Sequence, residues 1–214
     1  SLDREALLRA ITPKTRAIIL CNPNNPMGKA LRRDEVEFLV ETAVSRGLTL
    51  VSDEVYRKIY YDDIPHVSLT SYPEVSDRLL LIDSFSKTYA MTGWRIGYVA
   101  TSPELAKPLH VLRKAGAGSV NAPTQRAAIA ALRGSQDCVR DMVAEYDRRR
   151  RSILKILEQV QGFHCVRPDS AFYFYGRFDA DMSSAQMADY LYQRGVAVRS
   201  GTEYGTNGEG FIRL

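Results

Sequence analysis

Cysteine and histidine are scarce in this chain of 214 residues, with three of each: Cys21, Cys138, Cys165 and His66, His110, His164. An odd, scattered set of cysteines does not build a disulfide framework. It argues for reduced thiols and a cytoplasmic setting. His164 and Cys165 are neighbours and on a strand would face opposite sides, and the histidines form no ligand pair, so no metal site is expected. No apolar run reaches the ~20 residues of a membrane-spanning helix, which sets aside a membrane partner. Internal repeats, low-complexity tracts and a secretory signal are also missing. The chain starts at Ser1 rather than methionine, and Phe211-Ile212-Arg213-Leu214 reads as mid-strand with no turn after it. It is therefore expected to be a piece of a longer protein.

What is present is an ordinary globular mixture, 45% apolar and 25% charged. The formal net charge of +4 allows anionic ligands. The strongest basic run, Arg148 to Arg151, lies within a helical pattern of Val139, Met142, Val143, Tyr146, Ile153, Leu157 and Val160. It reads as a solvated helix face. Without interleaved aromatics it does not indicate a nucleic-acid partner.

Short apolar runs alternate with amphipathic stretches in the first half. Arg16–Cys21, Leu48–Ser52, Arg78–Asp83 and Ile96–Ala100 read as strands, and Asp34–Arg46 as a helix stopped by Gly47. Pro103–Lys114 and Pro123–Leu132 read as further helices. This alternation predicts an α/β fold with a mostly parallel sheet covered on both faces. Asp137–Gln161 predicts a long helix, and the character changes after Gly162. Phe163–Val166, Phe172–Tyr175 and Val196–Val198 read as strands around a helix from Ser183 to Arg194, an α+β pattern. The expected organisation is residues 1–135 as part of a large domain, and 136–214 as an interdomain helix with a truncated small domain.

Three strands of the first half end in unusual polar residues. They are followed by Asn22-Pro23-Asn24-Asn25-Pro26-Met27-Gly28, by Ser52-Asp53-Glu54-Val55-Tyr56, and by Asp83-Ser84-Phe85-Ser86-Lys87. Ligands of open α/β sheets bind beyond the carboxyl ends of strands. A lysine at the end of a buried strand can lose its proton through desolvation and attack a carbonyl. Arg95, in the frame Gly93-Trp94-Arg95-Ile96-Gly97, and the nearby hydroxyls suit a phosphate. Carbonyl and phosphate together describe pyridoxal 5′-phosphate. A carboxylate would hold its pyridine nitrogen protonated, and a phenol and an amide would bond its ring oxygen.

With Gly210-Phe211-Ile212-Arg213-Leu214 added, these motifs stand in the order and spacing of the class I/II aminotransferases. These are the aspartate aminotransferase superfamily of fold-type I pyridoxal-phosphate enzymes, and the chain resembles them over nearly its whole length. The resemblance implies a PLP-transferase-like large domain and an incomplete small domain. It implies a transaminase acting on an amino acid and a 2-oxo acid, working as a homodimer when full length. Lys87 is implied as the Schiff-base lysine and proton shuttle. Asp53 is implied as the pyridinium partner, and Tyr56 and Asn25 as ligands of the phenolic oxygen. Ser84 and Arg95 would bind the phosphate, which Ser86 either joins or leaves for backbone. Arg213 would fork onto the substrate α-carboxylate beside Asn25. The segment Gly118 to Gln125 resembles the loop that approaches a neighbouring subunit.

Some positions depart from the family pattern. Met27 stands for threonine, Ser170 for glycine and Ser200 for proline. The family's glycine-rich phosphate loop, its ring-stacking aromatic and its tyrosine lent to the partner subunit are not in this chain. Fold does not fix reaction. Alternative readings are a carbon–sulfur lyase, a decarboxylase or a cyclopropane-forming synthase on the same scaffold, or a PLP-binding regulatory domain.

Overall fold

The computed structural model describes residues 2–116 and 118–214. The chain divides into two compact units. The first holds the segment up to Pro23, Ala30–Lys58 and Pro65–Val139; the second holds Asn24–Lys29, Ile59–Ile64 and Arg140–Leu214. The two short segments of the second unit interrupt the first, a division that a linear reading of the chain does not contain.

In the first unit, helix α1 (Arg4–Ala10) precedes strand β1 (Ala17–Cys21), helix α2 (Arg33–Arg46) and strand β2 (Thr49–Asp53). Strand β3 (Leu79–Ser84) runs into a single helical turn, α3 (Phe85–Thr88), and strand β4 (Gly97–Thr101) and helices α4 (Pro103–Gly116) and α5 (Ala122–Arg133) follow. The sheet order is β1-β2-β3-β4. β1, β2 and β3 are parallel, so their carboxyl ends share one edge, and β4 returns antiparallel to β3.

Helix α2 forms because Val36, Leu39, Val40 and Ala43 fall at helical spacing and are all buried. Its start is closed by the Glu35 carboxylate, which accepts the Arg32 N–H at 2.8 Å. Gly47 ends it with φ 65°, a left-handed conformation that glycine adopts without steric cost. The buried stripe packs on Leu50, Leu79 and Leu81 of the sheet, with Ile18 and Leu20 beside them. A fully buried side chain such as Leu50 contributes about 1.5–3 kcal/mol relative to exposure. The opposite face differs from expectation: Ile19 is 78% exposed and Val99 47% exposed. Two-sided cover of the sheet is thus not present among the described residues. Beside the sheet, Ala128 of α5 packs with Phe85 and Met91 in a smaller apolar cluster.

Helix α6 (Asp137–Leu157) opens the second unit's main stretch, followed by β5 (Phe163–Cys165), β6 (Tyr175–Phe178), α7 (Ser184–Tyr192), β7 (Arg199–Ser200) and β8 (Phe211–Arg213). The sheet order is β5-β6-β8-β7, antiparallel throughout. Two predicted strands move. The chain turns at Ala171 and Phe172 rather than extending there, because Ala171 takes φ 59° and the Phe172 ring packs against Tyr146 and Tyr173 at 5.2 and 4.8 Å. The strand begins at Tyr175. Val196 is 45% exposed, and pairing with β8 starts only at Arg199.

The arginine run of α6 is not uniformly solvated. The side chain of Arg150 is 2% exposed, and its guanidinium lies 2.9 Å from Asp62 and 2.6 Å from Asp147. It also donates to the Pro168 carbonyl at 3.0 Å and lies 4.4 Å over the Tyr61 ring. Arg148 and Arg149 remain exposed on Glu145, whose carboxyl they pull down to about 2. Removing one member of a buried pair leaves the other charge stranded, whereas exposed pairs contribute little. Arg150→Ala is expected to destabilise the protein by about 3–5 kcal/mol in denaturant unfolding, and Arg149→Ala by less than about 1 kcal/mol.

Candidate functional site

The carboxyl end of β2 is pinned by a buried acid. Glu54 is 1% exposed. It accepts hydrogen bonds from Ser68 Oγ at 3.0 Å and the Leu69 N–H at 3.3 Å, and its other oxygen lies 2.6 Å from His66 Nε2. This ties the strand end to the 66–69 loop. Asp53 immediately before it is half-buried and accepts the Val55 N–H at 3.1 Å. The turn that follows buries Tyr56, which is 4% exposed.

The end of β3 carries the second set. Ser84 caps α3, its Oγ accepting the Ser86 N–H at 3.1 Å and lying 2.9 Å from Ser86 Oγ. Lys87 sits half-buried on that turn. Asp83, 4% exposed, receives Arg57 Nε at 2.5 Å and the Tyr98 hydroxyl at 2.7 Å. Arg57 also donates to the Tyr98 oxygen at 3.0 Å. The structure thus gathers Asp53, Tyr56, Ser84, Ser86 and Lys87 at the ends of two adjacent parallel strands. The Arg57–Asp83–Tyr98 triad that holds those ends together was not anticipated from sequence. Its one local sign is an acid four residues before the lysine.

Electrostatics distinguish the two acids. Burial raises the pKa of Asp53. The Val55 N–H opposes that rise, and the negative charges of Asp83 and Glu54 add to it. No arginine or lysine among the described residues pairs with it, and a cationic N–H brought to it would reverse the shift. Asp83 has its cation: burial works against the Arg57 charge, and Asp83 more than restores it.

Arg95 takes φ 52° and donates to the Thr92 carbonyl at 3.1 Å. It lines a cleft of about 640 Å³ with Trp94, Arg113, Asn121 and Thr124. Two guanidiniums and the start of α5 make that cleft attractive to an anion. Its lining includes neither Ser84 nor Lys87.

The remaining two predicted residues, Asn25 and Arg213, belong to the second unit. The Asn22–Pro23 and Asn25–Pro26 peptide bonds are cis. Gly28 turns the segment back with φ 63°, where a Cβ would lie 2.7 Å from both Pro168 Cβ and the Ser170 carbonyl. Arg213 donates to Asn25 Oδ1 at 2.8 Å. Its guanidinium carbon lies 4.4 Å from the Tyr173 ring centroid and 4.9 Å from that of Tyr204. No carboxylate among the described residues pairs with it, unlike Arg57 and Arg150. Tyr173 and Tyr204 were not among the residues expected from sequence; nothing in local pattern marks them.

Among the described residues, no group of histidine, cysteine and acidic side chains is arranged to hold a metal ion. No helix of the described residues is long and apolar enough to cross a membrane.

An α/β unit with a mostly parallel sheet, polar strand ends and an amine on the turn after β3 defines a class of fold shared with known proteins. The family described as aminotransferase class I and II matches residues 1–214. A probable aspartate aminotransferase of Methanocaldococcus jannaschii is 41% identical, across 100% of this chain and 57% of that protein. An aspartate aminotransferase of Pyrococcus abyssi is 36% identical, across 100% of this chain and 56% of its own length. The solved aromatic aminotransferase of Pyrococcus horikoshii superposes with a TM-score of 0.95 at 34% identity, covering 100% of this chain and 58% of that one. The chain therefore belongs to the class I and II aminotransferase family, whose enzymes use pyridoxal phosphate. It spans little more than half the length of the curated relatives it matches.

The donor set fits that cofactor. A half-buried carboxylate with a raised pKa suits a protonated ring nitrogen, a buried phenol suits a ring oxygen, and the paired hydroxyls of Ser84 and Ser86 suit a phosphate. The cost of the Asp53 charge has a stability consequence. A pKa raised by folding means stability present at low pH and lost as pH rises through the folded value. Cofactor-free Asp53→Asn protein is expected to melt at a higher temperature than the parent at pH 7. That difference should disappear as the pH falls below the carboxylate range, followed by calorimetry.

Proposed function

We propose that the protein moves an amino group between an L-amino acid and a 2-oxo acid with pyridoxal phosphate, using Lys87 as its reactive amine. The supporting observation is the placement of half-buried Asp53 as the last residue of β2 and of half-buried Lys87 just beyond the end of the adjacent parallel strand β3. When bound, pyridoxal phosphate supplies an aldehyde that condenses with amines and a protonated ring that accepts electron density.

The chain's residues divide the remaining work. Asp53 keeps a positive N–H in place by charge pairing. Tyr56 and Asn25 hydrogen-bond the ring oxygen, and Ser84, Ser86 and Arg95 hold the phosphate. Arg213 forks onto the substrate α-carboxylate, a role supported by a guanidinium that has an amide and two rings for neighbours but no acid. Lys87 Nζ carries the α-proton of the substrate. Aspartate and aromatic amino acids, named for the relatives, are the donors of first choice.

The same reading makes the full-length protein a homodimer, with residues 118–125 directed to the neighbour. Cys21, Cys138 and Cys165, none of which forms a disulfide, support a cytoplasmic setting. Lys87→Ala in the full-length protein is expected to cut turnover by about a thousandfold or more while some cofactor stays bound. Borohydride reduction of the loaded parent should label the peptide containing Lys87. Label on another lysine would overturn the assignment. Transfer to a 2-oxo acid, without release of ammonia or carbon dioxide, separates a transaminase from a lyase or decarboxylase.

A further inference from the structure

Arg213 carries a long, flexible side chain, which must be held in place to meet a carboxylate. Asn25 occupies one of the five N–H donors of the guanidinium. An amide oxygen fixes one edge of the group but does not fix its plane. The plane is set by rings. Tyr173 lies under the guanidinium carbon at 4.4 Å and Tyr204 at 4.9 Å, distances at which a ring's negative face attracts a cation.

Tyr204 is itself held. Its ring meets Tyr175 edge-on at 6.2 Å, and Tyr175 stacks on Phe211 at 5.1 Å, with planes 7° apart. Tyr204 ends the short 3-10 turn Gly201–Tyr204. That turn and the next, Thr206–Gly208, touch through Gly201 and Gly208, where a Cβ on either residue would collide with the other's carbonyl. A tyrosine nine residues before Arg213 is thus delivered to it by a tightly packed loop.

We propose that Tyr204, with Tyr173, is a positioning residue: the face of its ring pre-orients the Arg213 guanidinium, leaving its other N–H donors for the carboxylate of the amino acid substrate. This rests on the reading of Arg213 as the carboxylate-binding arginine and adds what holds it. Pre-orientation lowers the ordering cost at the moment of binding, so its loss falls on KM rather than on the chemical step.

The test uses the full-length, cofactor-loaded protein with L-aspartate as donor. Tyr204→Phe is expected to keep KM within about twofold, because the ring rather than the hydroxyl acts. Mono-, di- and trifluorinated phenylalanine at position 204 keep the shape while draining the ring face of negative charge. KM should then climb stepwise to about three- to tenfold, with kcat and cofactor absorbance unchanged. A flat KM across the fluorinated series, or an equal change in kcat, would overturn the proposal. Arg213→Gln separates the two layers. If it leaves KM unaltered, the carboxylate reading itself fails; if it raises KM while the series is flat, only the ring seat fails.

Discussion

The first unit depends on one carboxylate shared between three elements. Asp83 leaves the end of β3, meets Arg57 from the turn after β2 and Tyr98 from β4, and is almost fully buried. A buried acid with no cation would be driven to protonate or to unfold its surroundings. Here the cation comes from the residue next to Tyr56, so satisfying the charge also sets the turn that carries the phenol. The capping serine and the lysine follow Asp83 in sequence. One ion pair therefore positions residues from two strand ends, and the low dielectric of the site makes the coupling strong.

Asp53 shows the opposite arrangement at short range. It stands between Glu54 and Asp83 in the electrostatic sense, and its charge is opposed by both. Glu54 is spent on hydroxyls, a backbone amide and His66, and Asp83 on Arg57 and Tyr98. Asp53 accepts its hydrogen bond from the Val55 backbone amide. Three neighbouring acids thus have separate tasks: two are structural and satisfied, and one bears a cost that a cationic ligand would relieve.

The second unit repeats this contrast with arginines. Arg150 is neutralised twice over by Asp62 and Asp147 and secures α6 to the 59–64 segment. Arg213 is surrounded by an amide and aromatic faces, groups that orient a guanidinium without neutralising it. Ser170, one of the departures from the family pattern, is fully buried, and its hydroxyl has no hydrogen-bond partner among the described residues. Its polar atom and the left-handed Ala171 beside it lie in the turn that sets Tyr173.

The amino-acid sequence alone carried the order and type of most elements in the first unit. Apolar period, Gly47, and the proline-rich break after Cys21 are local signals, and each acts within one element and its ends. It also marked Lys87, Asp53 and Arg213 as chemistry-bearing residues, through motifs that are themselves local. The placement of β6 and β7 escaped it, because apolar residues such as Phe172 and Val196 extend only where a partner strand accepts them. Tertiary structure alone decided that Arg150 is buried among exposed arginines, that Arg57 neutralises Asp83, and that Asn25 meets Arg213 across 188 residues of chain. Period and spacing report which side of an element a residue faces. What stands opposite depends on how distant segments close on one another, and that is set by the packing of the whole unit.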